Sequence, residues 1–221
     1  MMRLSRYGGN SNIGVYAATG ESLAIVAGDA EPDFIRDLEI ILGVETILTT
    51  VAGSFVVGSL TAMNSNGIAL SGLAEKEEIL CIKEKFENVT TVPGRYNAAG
   101  NNILVNDHGS IVNPIYSDAA VKNFEDIFGV ECVRSSIGGC ETVGSVCVVT
   151  DKGCICHMDA SEEEMELIKD LLKVNPVRTT VNHGVDFLAS GVIANSKGAL
   201  VGDQTTPLEM GKIEEGLDLY D

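Results

Sequence analysis

Basic charge is scarce in this 221-residue chain. Fifteen Lys and Arg stand against 32 Asp and Glu, for a net charge of −17 and an isoelectric point near 4.4. Such a surface is repelled by bare phosphate backbone, and no stripe of Lys or Arg offsets it, so direct DNA binding is not expected. Long apolar runs are missing too. None approaches the ~18 residues of a membrane span, and the start, Met1-Met2-Arg3-Leu4-Ser5-Arg6, has no apolar signal core. Neither membrane nor export is expected, which leaves the cytoplasm. Prolines number five and no Pro/Gly/Ser-rich linker occurs, so residues 1–221 are expected to form a single domain long enough to bury most of its surface. Also absent are a P-loop, a Gly-x-Gly-x-x-Gly following a strand and a Gly-x-Ser-x-Gly elbow. No cofactor and no enzymatic activity are expected. An acidic surface of this kind suits a basic protein partner.

Cysteine and histidine offer little more. The cluster Cys140, Cys147, Cys154, Cys156 and His157 invites a zinc reading, but its spacings do not match Cys-x2–4-Cys knuckles. Three of these cysteines lie in strand-like runs, where a free thiol packs as a small hydrophobe. His108, His157 and His183 show no base–nucleophile arrangement, and no metal site is expected.

What is present is periodicity. Gly20, Gly67, Gly109, Gly153 and Gly198 end polar turns at intervals of 47, 42, 44 and 45 residues. Four of the turns carry Asn or Asp, as in Asn64-Ser65-Asn66-Gly67 and Asp107-His108-Gly109, and these residues favour a hairpin reversal. A period of this size marks an array of one repeated unit. After each turn comes a short apolar strand, such as 23–26, 68–70 or 154–156. An acidic amphipathic stretch follows, over 31–42, 74–86, 117–128 and 161–172. Ser161 and the three glutamates after it read as an N-cap with carboxylates at the positive end of the helix dipole.

Each helix then yields to a β-prone run with two small hydroxyls: Thr49-Thr50, Thr90-Thr91, Ser135-Ser136 and Thr179-Thr180. These pairs are expected near a common axis, lining a channel or filling a crowded centre. Glycine closes each run, and a second register places Gly58, Gly100 and Gly144 nine residues before their turn glycines. The unit is therefore strand, turn, strand, helix, strand, five times over. The fifth lacks its last strand, ending in a weak helix over about 207–217. The opening Arg3-Leu4-Ser5-Arg6-Tyr7-Gly8-Gly9 resembles the run Val177 to Gly184 and can supply that strand. The expected architecture is α/β, with five pseudo-symmetric repeats in a propeller-like ring closed by the N-terminal strand. A closed ring needs no second copy to hide its edges, so a monomer is expected.

The whole chain, from about Arg3 to Leu217, resembles the archaeal translation initiation factor 6 family. The strongest stretches are Thr142-Val143-Gly144-Ser145 with Val148-Val149-Thr150-Asp151-Lys152-Gly153-Cys154, and Ile193-Ala194-Asn195-Ser196-Lys197-Gly198-Ala199. Ile13-Gly14, Val57-Gly58-Ser59-Leu60 and Gly100-Asn101 support them. The resemblance implies a pentein fold. It implies binding to the large (50S) ribosomal subunit and prevention of its premature association with the small one. The implied docking surface is a basic ribosomal protein near the sarcin–ricin loop.

Asn101 resembles a family asparagine at that surface. Ser59 and Ser145 take its place in neighbouring repeats, and Asn101 and Ser59 are the expected contacts. Two other readings stand beside this one. The first is an acidic binding module for another basic protein. The second is a pentein guanidine-modifying enzyme, whose Cys nucleophile belongs in the final repeat, whereas the last cysteine here is Cys156.

Overall fold

The computed structural model describes residues 1–220. Fifteen strands form five three-stranded sheets, which among the described residues stay separate rather than merging into one closed barrel. The strands are β1 (Met2–Ser5), β2 (Ala17–Thr19), β3 (Leu23–Ala27), β4 (Glu45–Thr49), β5 (Thr61–Met63), β6 (Ile68–Ser71), β7 (Val89–Val92) and β8 (Ile103–Val105). They continue as β9 (Ser110–Val112), β10 (Cys132–Arg134), β11 (Cys147–Val149), β12 (Cys154–Cys156), β13 (Pro176–Arg178), β14 (Val192–Asn195) and β15 (Gly198–Gly202). Each sheet is an antiparallel hairpin whose second strand also pairs in parallel with a third. A parallel partner requires a crossover, and a long helix provides it. The crossover helices are α1 (Pro32–Leu42), α3 (Lys76–Lys83), α5 (Asp118–Phe128) and α7 (Glu162–Leu172), and α9 (Pro207–Gly216) follows the fifth hairpin.

The fifth sheet takes its third strand from the other end of the chain. β1 pairs in parallel with β15, from Met2 opposite Ala199 to Ser5 opposite Gly202. Arg3 adds an ion pair to Asp37 of α1 at 2.6 Å. The strand order anticipated from the matching ends is therefore present.

Middle strands are buried on both faces, and their alternation divides them between two cores. In β3, Leu23, Ile25 and Ala27 enter one cluster with Ile68, Leu70 and Ile82. The residues between them, Ala24 and Val26, enter another with Phe34, Leu38, Ile193 and Leu200. β12 does the same: Cys154 and Cys156 pack with Ile168 and Leu172, while Ile155 packs with Ile213 and Val201. Each apolar cluster thus joins one long helix, its own hairpin and a hairpin of the adjoining unit. Burying one such Leu or Ile contributes roughly 1.5–3 kcal/mol, so neighbouring units stabilise each other. Cys147, Cys154 and Cys156 belong to this packing, and burial pushes the Cys156 thiol up to about 12.

The structure corrects two expectations. The hydroxyl pairs do not sit near an axis. They lie at the far edge of each sheet or just beyond it, where Thr50 and Thr180 donate to Glu78 and Glu209 at 2.6 Å. A cavity of about 130 Å³ is lined instead by the opening residues of the five first strands, Ala17, Thr61, Ile103, Cys147 and Val192. These strands touch in sequence: β2 meets β5, β5 meets β8, β8 meets β11, β11 meets β14, and β14 meets β2.

The second correction concerns Gly20. The first hairpin has the same length as the others, and Gly20 N–H bonds the Leu23 carbonyl just as Asn64 N–H bonds that of Gly67. Gly20 therefore holds the place of Asn64, Asn106, Thr150 and Asn195, while Leu23 holds that of the turn glycines. No helix among the described residues is long and apolar enough to cross a membrane.

Candidate functional site

Four-residue helical turns precede the first strands of four units: α2 (Val57–Leu60), α4 (Ala99–Asn102), α6 (Val143–Val146) and α8 (Leu188–Gly191). In the other unit a 3-10 turn, Ile13–Val15, takes that position. The five turns contact one another in succession, and α8 returns to the 3-10 turn. Their approach explains the second glycine register. A Cβ on Gly58 would lie 2.0 Å from the Gly14 carbonyl oxygen, and one on Gly100 would lie 2.0 Å from that of Gly58. A Cβ on Gly144 would lie 2.2 Å from the Gly100 oxygen, and one on Gly14 would lie 2.0 Å from that of Ala189. No side chain fits at such distances from backbone.

The residue after each of these positions opens onto a shared cup of about 290 Å³. Those residues are Val15, Ser59, Asn101, Ser145 and Ser190, all half-buried, and Phe187 stands exposed at the rim. The structure thus brings Asn101 and Ser59, far apart in sequence, to one concave surface. Their side chains also differ from their counterparts. Ser145 Oγ donates to the Thr142 carbonyl at 2.6 Å, and Ser190 Oγ donates to that of Phe187 at 2.7 Å. Among the described residues, neither the Ser59 hydroxyl nor the Asn101 amide has a protein partner, so both remain available to a ligand. No carboxylate lines the cup.

The opposite end of the molecule, at the hairpin turns, is organised differently. Asn64 Nδ2 donates to the Asn106 and Phe128 carbonyls at 3.1 and 3.0 Å, and its Oδ1 accepts from Asn66 and Gly67 N–H. Asn106 repeats the arrangement toward Thr150 and Leu172, and Asn195 repeats it toward Gly20 and Leu42. Each of these asparagines closes its own turn and stitches it to the adjoining unit.

Carboxylates add further links there. Asp107 accepts from Ser65 N–H and Asp151 from Asp107 N–H, each at 2.8 Å. Burial, with the nearby charges of Asp107 and Glu21, holds the Asp151 carboxyl above its usual range. Asn64 and Asn106 spend all four side-chain hydrogen bonds on the fold, and Asn195 spends both of its N–H donors there. Among the described residues, no group of three or more His, Cys, Asp or Glu stands in metal-binding geometry.

An uncharged cup built from five equivalent turns, with free polar groups at two of them, suits a macromolecular contact better than a reaction. Comparison with known proteins narrows this further. The eIF-6 family model matches residues 2–216. The chain belongs to the eIF-6 family. A family member from Picrophilus torridus, named translation initiation factor 6, is 37% identical over 209 residues, covering 94% of this chain and 96% of its own. Members with the same name from Haloquadratum walsbyi and Methanocaldococcus jannaschii are each 36% identical over 220 residues, covering 98% and 96% of this chain and 96% of their own.

Sequence reasoning named Asn101 and Ser59 as contacts and did not name Ser190, Val15 or Phe187, which line the same cup. The nine-residue register was the available signal. Counting back from Gly198 lands on Ala189, which is not a glycine, and Gly14 lies nine residues before Leu23, the non-glycine residue that holds the turn position of the first hairpin.

Proposed function

We propose that this protein is a ribosome anti-association factor of the eIF-6 family. It forms one pentein domain over residues 1–221, a ring closed by the N-terminal strand. It binds the large (50S) ribosomal subunit and keeps the small subunit from joining prematurely. The ring reading is supported by first strands and short turns that each contact their neighbours in a cycle of five, and by the pairing of β1 with β15. Family membership over almost the whole chain supports the role in translation initiation and the ribosomal partner.

The observation that carries the docking assignment is the cup where Asn101 and Ser59 offer uncommitted polar groups beside exposed Phe187. An aromatic anchor beside free hydrogen-bonding groups is the usual make-up of an interface hot spot. The partner proposed for it is a basic ribosomal protein near the sarcin–ricin loop. Glu141 and Asp186, next in sequence to the lining residues Thr142 and Phe187, and the net charge of −17 favour its approach. The mechanism is occupancy: the bound factor fills the space the small subunit needs and carries out no catalysis.

Co-sedimentation with purified 50S and 30S subunits, paired with light scattering of subunit joining, tests this. Binding to 50S alone with suppressed joining is expected. Binding without suppression would overturn the occupancy mechanism, and absence from the 50S fraction would leave a different basic partner as the better reading.

A further inference from the structure

Five loops link a third strand to the next short turn, and in three of them a glutamate from the next long helix clasps the loop. Glu78 accepts from Ala52 and Gly53 N–H at 2.7 and 2.9 Å, from Thr50 Oγ1 at 2.6 Å, and from its own helix start, Glu75 N–H, at 2.8 Å. Glu164 accepts from Gly138 N–H at 3.0 Å and Ser161 N–H at 2.8 Å. Glu209 accepts from Gly184 N–H at 2.8 Å, Thr180 Oγ1 at 2.6 Å and Thr206 N–H at 2.7 Å. All three stand at the third residue of their helix. At the joint of α1 that position is Phe34, and the space is closed by Tyr7, which stacks on Tyr16 and meets Phe34 edge-on.

The joint of α5 has neither filling. Its third helical residue is Ala120, and the facing loop, Pro93-Gly94-Arg95-Tyr96, lacks the β-bridge that closes the other four loops. What remains is a cavity of about 360 Å³, walled by Pro93, Tyr96, Ile115 and Tyr116 and floored by Ala120. Pockets that hold small ligands begin at about 300 Å³. Tyr116 is fixed in place by its hydroxyl bond to the Tyr96 carbonyl at 2.7 Å. The backbone N–H groups of Gly94, Arg95 and Ser117 meet no acceptor among the described residues, and Arg95 forms no ion pair there.

We propose that this joint is a docking site for a glutamate side chain presented by a partner protein. The incoming carboxylate takes the place that Glu78, Glu164 and Glu209 fill from within, at the Ser117 end of α5 and facing Arg95. Its methylenes lie along Tyr96, Ile115 and Tyr116, which accounts for apolar walls around a polar end. The internal precedents define the chemistry, because the same loop–helix joint binds a glutamate in three other units. The proposal does not depend on the ribosomal assignment. The loop runs directly into α4, five residues before Asn101, so a partner engaged here lies beside the cup.

The test is an amide NMR titration of the whole protein with N-acetyl-glutamic acid α-methylamide, whose only carboxylate is on the side chain, at fixed ionic strength and neutral pH. Saturable shifts at Gly94, Arg95 and Ser117 are expected, with none from the glutamine analogue. Arg95→Ala should weaken the titration about two- to fivefold, the range for an exposed ion pair. Ala120→Glu should abolish it by supplying the missing clasp. If that variant does not fold, the glutamate–glutamine pair on the wild type still decides. Equal shifts from the glutamine analogue or from sulfate would overturn the proposal, as would their absence. So would tighter binding of N-acetyl-alanine, which would mark a site for a chain terminus instead.

Discussion

Single residues in this fold are read best against their counterparts in other units. Helices α1 and α5 end in Gly43 (φ 59°) and Gly129 (φ 67°), both left-handed. α7 ends in Lys173 at φ 59°, where a Cβ is unfavourable. Lys173→Gly should therefore stabilise the protein by about 0.5–1 kcal/mol, less whatever the freer unfolded chain gives back, measurable as a higher denaturant midpoint. A lower midpoint would count against this account of the cap. Glu209 makes a pH-dependent case. Burial alone would raise its carboxyl, but hydrogen bonds from Thr180, Thr206 and Gly184 outweigh that and hold it at about 2, against an ordinary 4.5. Its contribution is therefore complete above pH ~4.5 and fades as pH falls toward 2. Discounted for solvent screening, a shift of that size corresponds to about 1–2 kcal/mol. The stability gap between wild type and Glu209→Gln should be widest near pH 6 and shrink steadily on acidification; a gap constant down to pH 2 would refute it.

At the level of elements, the N-terminal strand matters most. Removing residues 1–8 strips β1 from β15 and takes away Tyr7, whose ring stacks on Tyr16 at 4.0 Å. Tyr7 is half-buried, so its loss alone costs less than the ~3–5 kcal/mol of a fully buried aromatic, and the four pairings of β1 with β15 are lost with it. For a chain of this length the melting temperature should fall by roughly 10 °C or more, with aggregation through the bared edge of β15. A truncated protein that melts like the full chain would show that β1 does not hold the fifth unit together.

This strand was legible in the sequence because Arg3 to Gly9 resembles Val177 to Gly184, and the crossover helices were legible from their apolar spacing. The short turns α2, α4, α6 and α8 were not. Four residues complete one helical turn, too few for periodicity, and only the glycines at 58, 100 and 144 hinted at a close approach. The hydroxyl pairs were misplaced because composition says that a residue is small and polar but not which edge of a sheet it occupies. Their true partners, Glu78 and Glu209, lie 28 and 29 residues onward. Asn101 and Ser59 were proposed through a family resemblance and a register, and the structure brings them to one cup. What the sequence did not carry was the contrast between their free side chains and the internally bonded Ser145 and Ser190.

Taken whole, the molecule has two unlike ends. The hairpin end presents Glu21, Asp107 and Asp151 around a narrow opening, with the asparagine stitches beneath. The turn end presents the uncharged cup. If a basic partner were drawn by charge alone, the hairpin end would be the better target; free hydrogen-bonding groups and exposed Phe187 favour the cup. Introducing one cation at each end separates these possibilities. Asn101→Lys places a bulky positive charge in the cup and should weaken co-sedimentation with 50S subunits by an order of magnitude or more while leaving the melting temperature unchanged. His108→Lys adds similar charge at an exposed hairpin position and should leave binding within about twofold. Both proteins should bind less well as salt rises, because attraction from the acidic body is screened beyond roughly 8 Å at physiological ionic strength. The difference between them should persist at high salt, since a side chain wedged into a packed contact is not relieved by screening. Normal binding by Asn101→Lys alongside impaired binding by His108→Lys would move the docking surface to the opposite end of the protein.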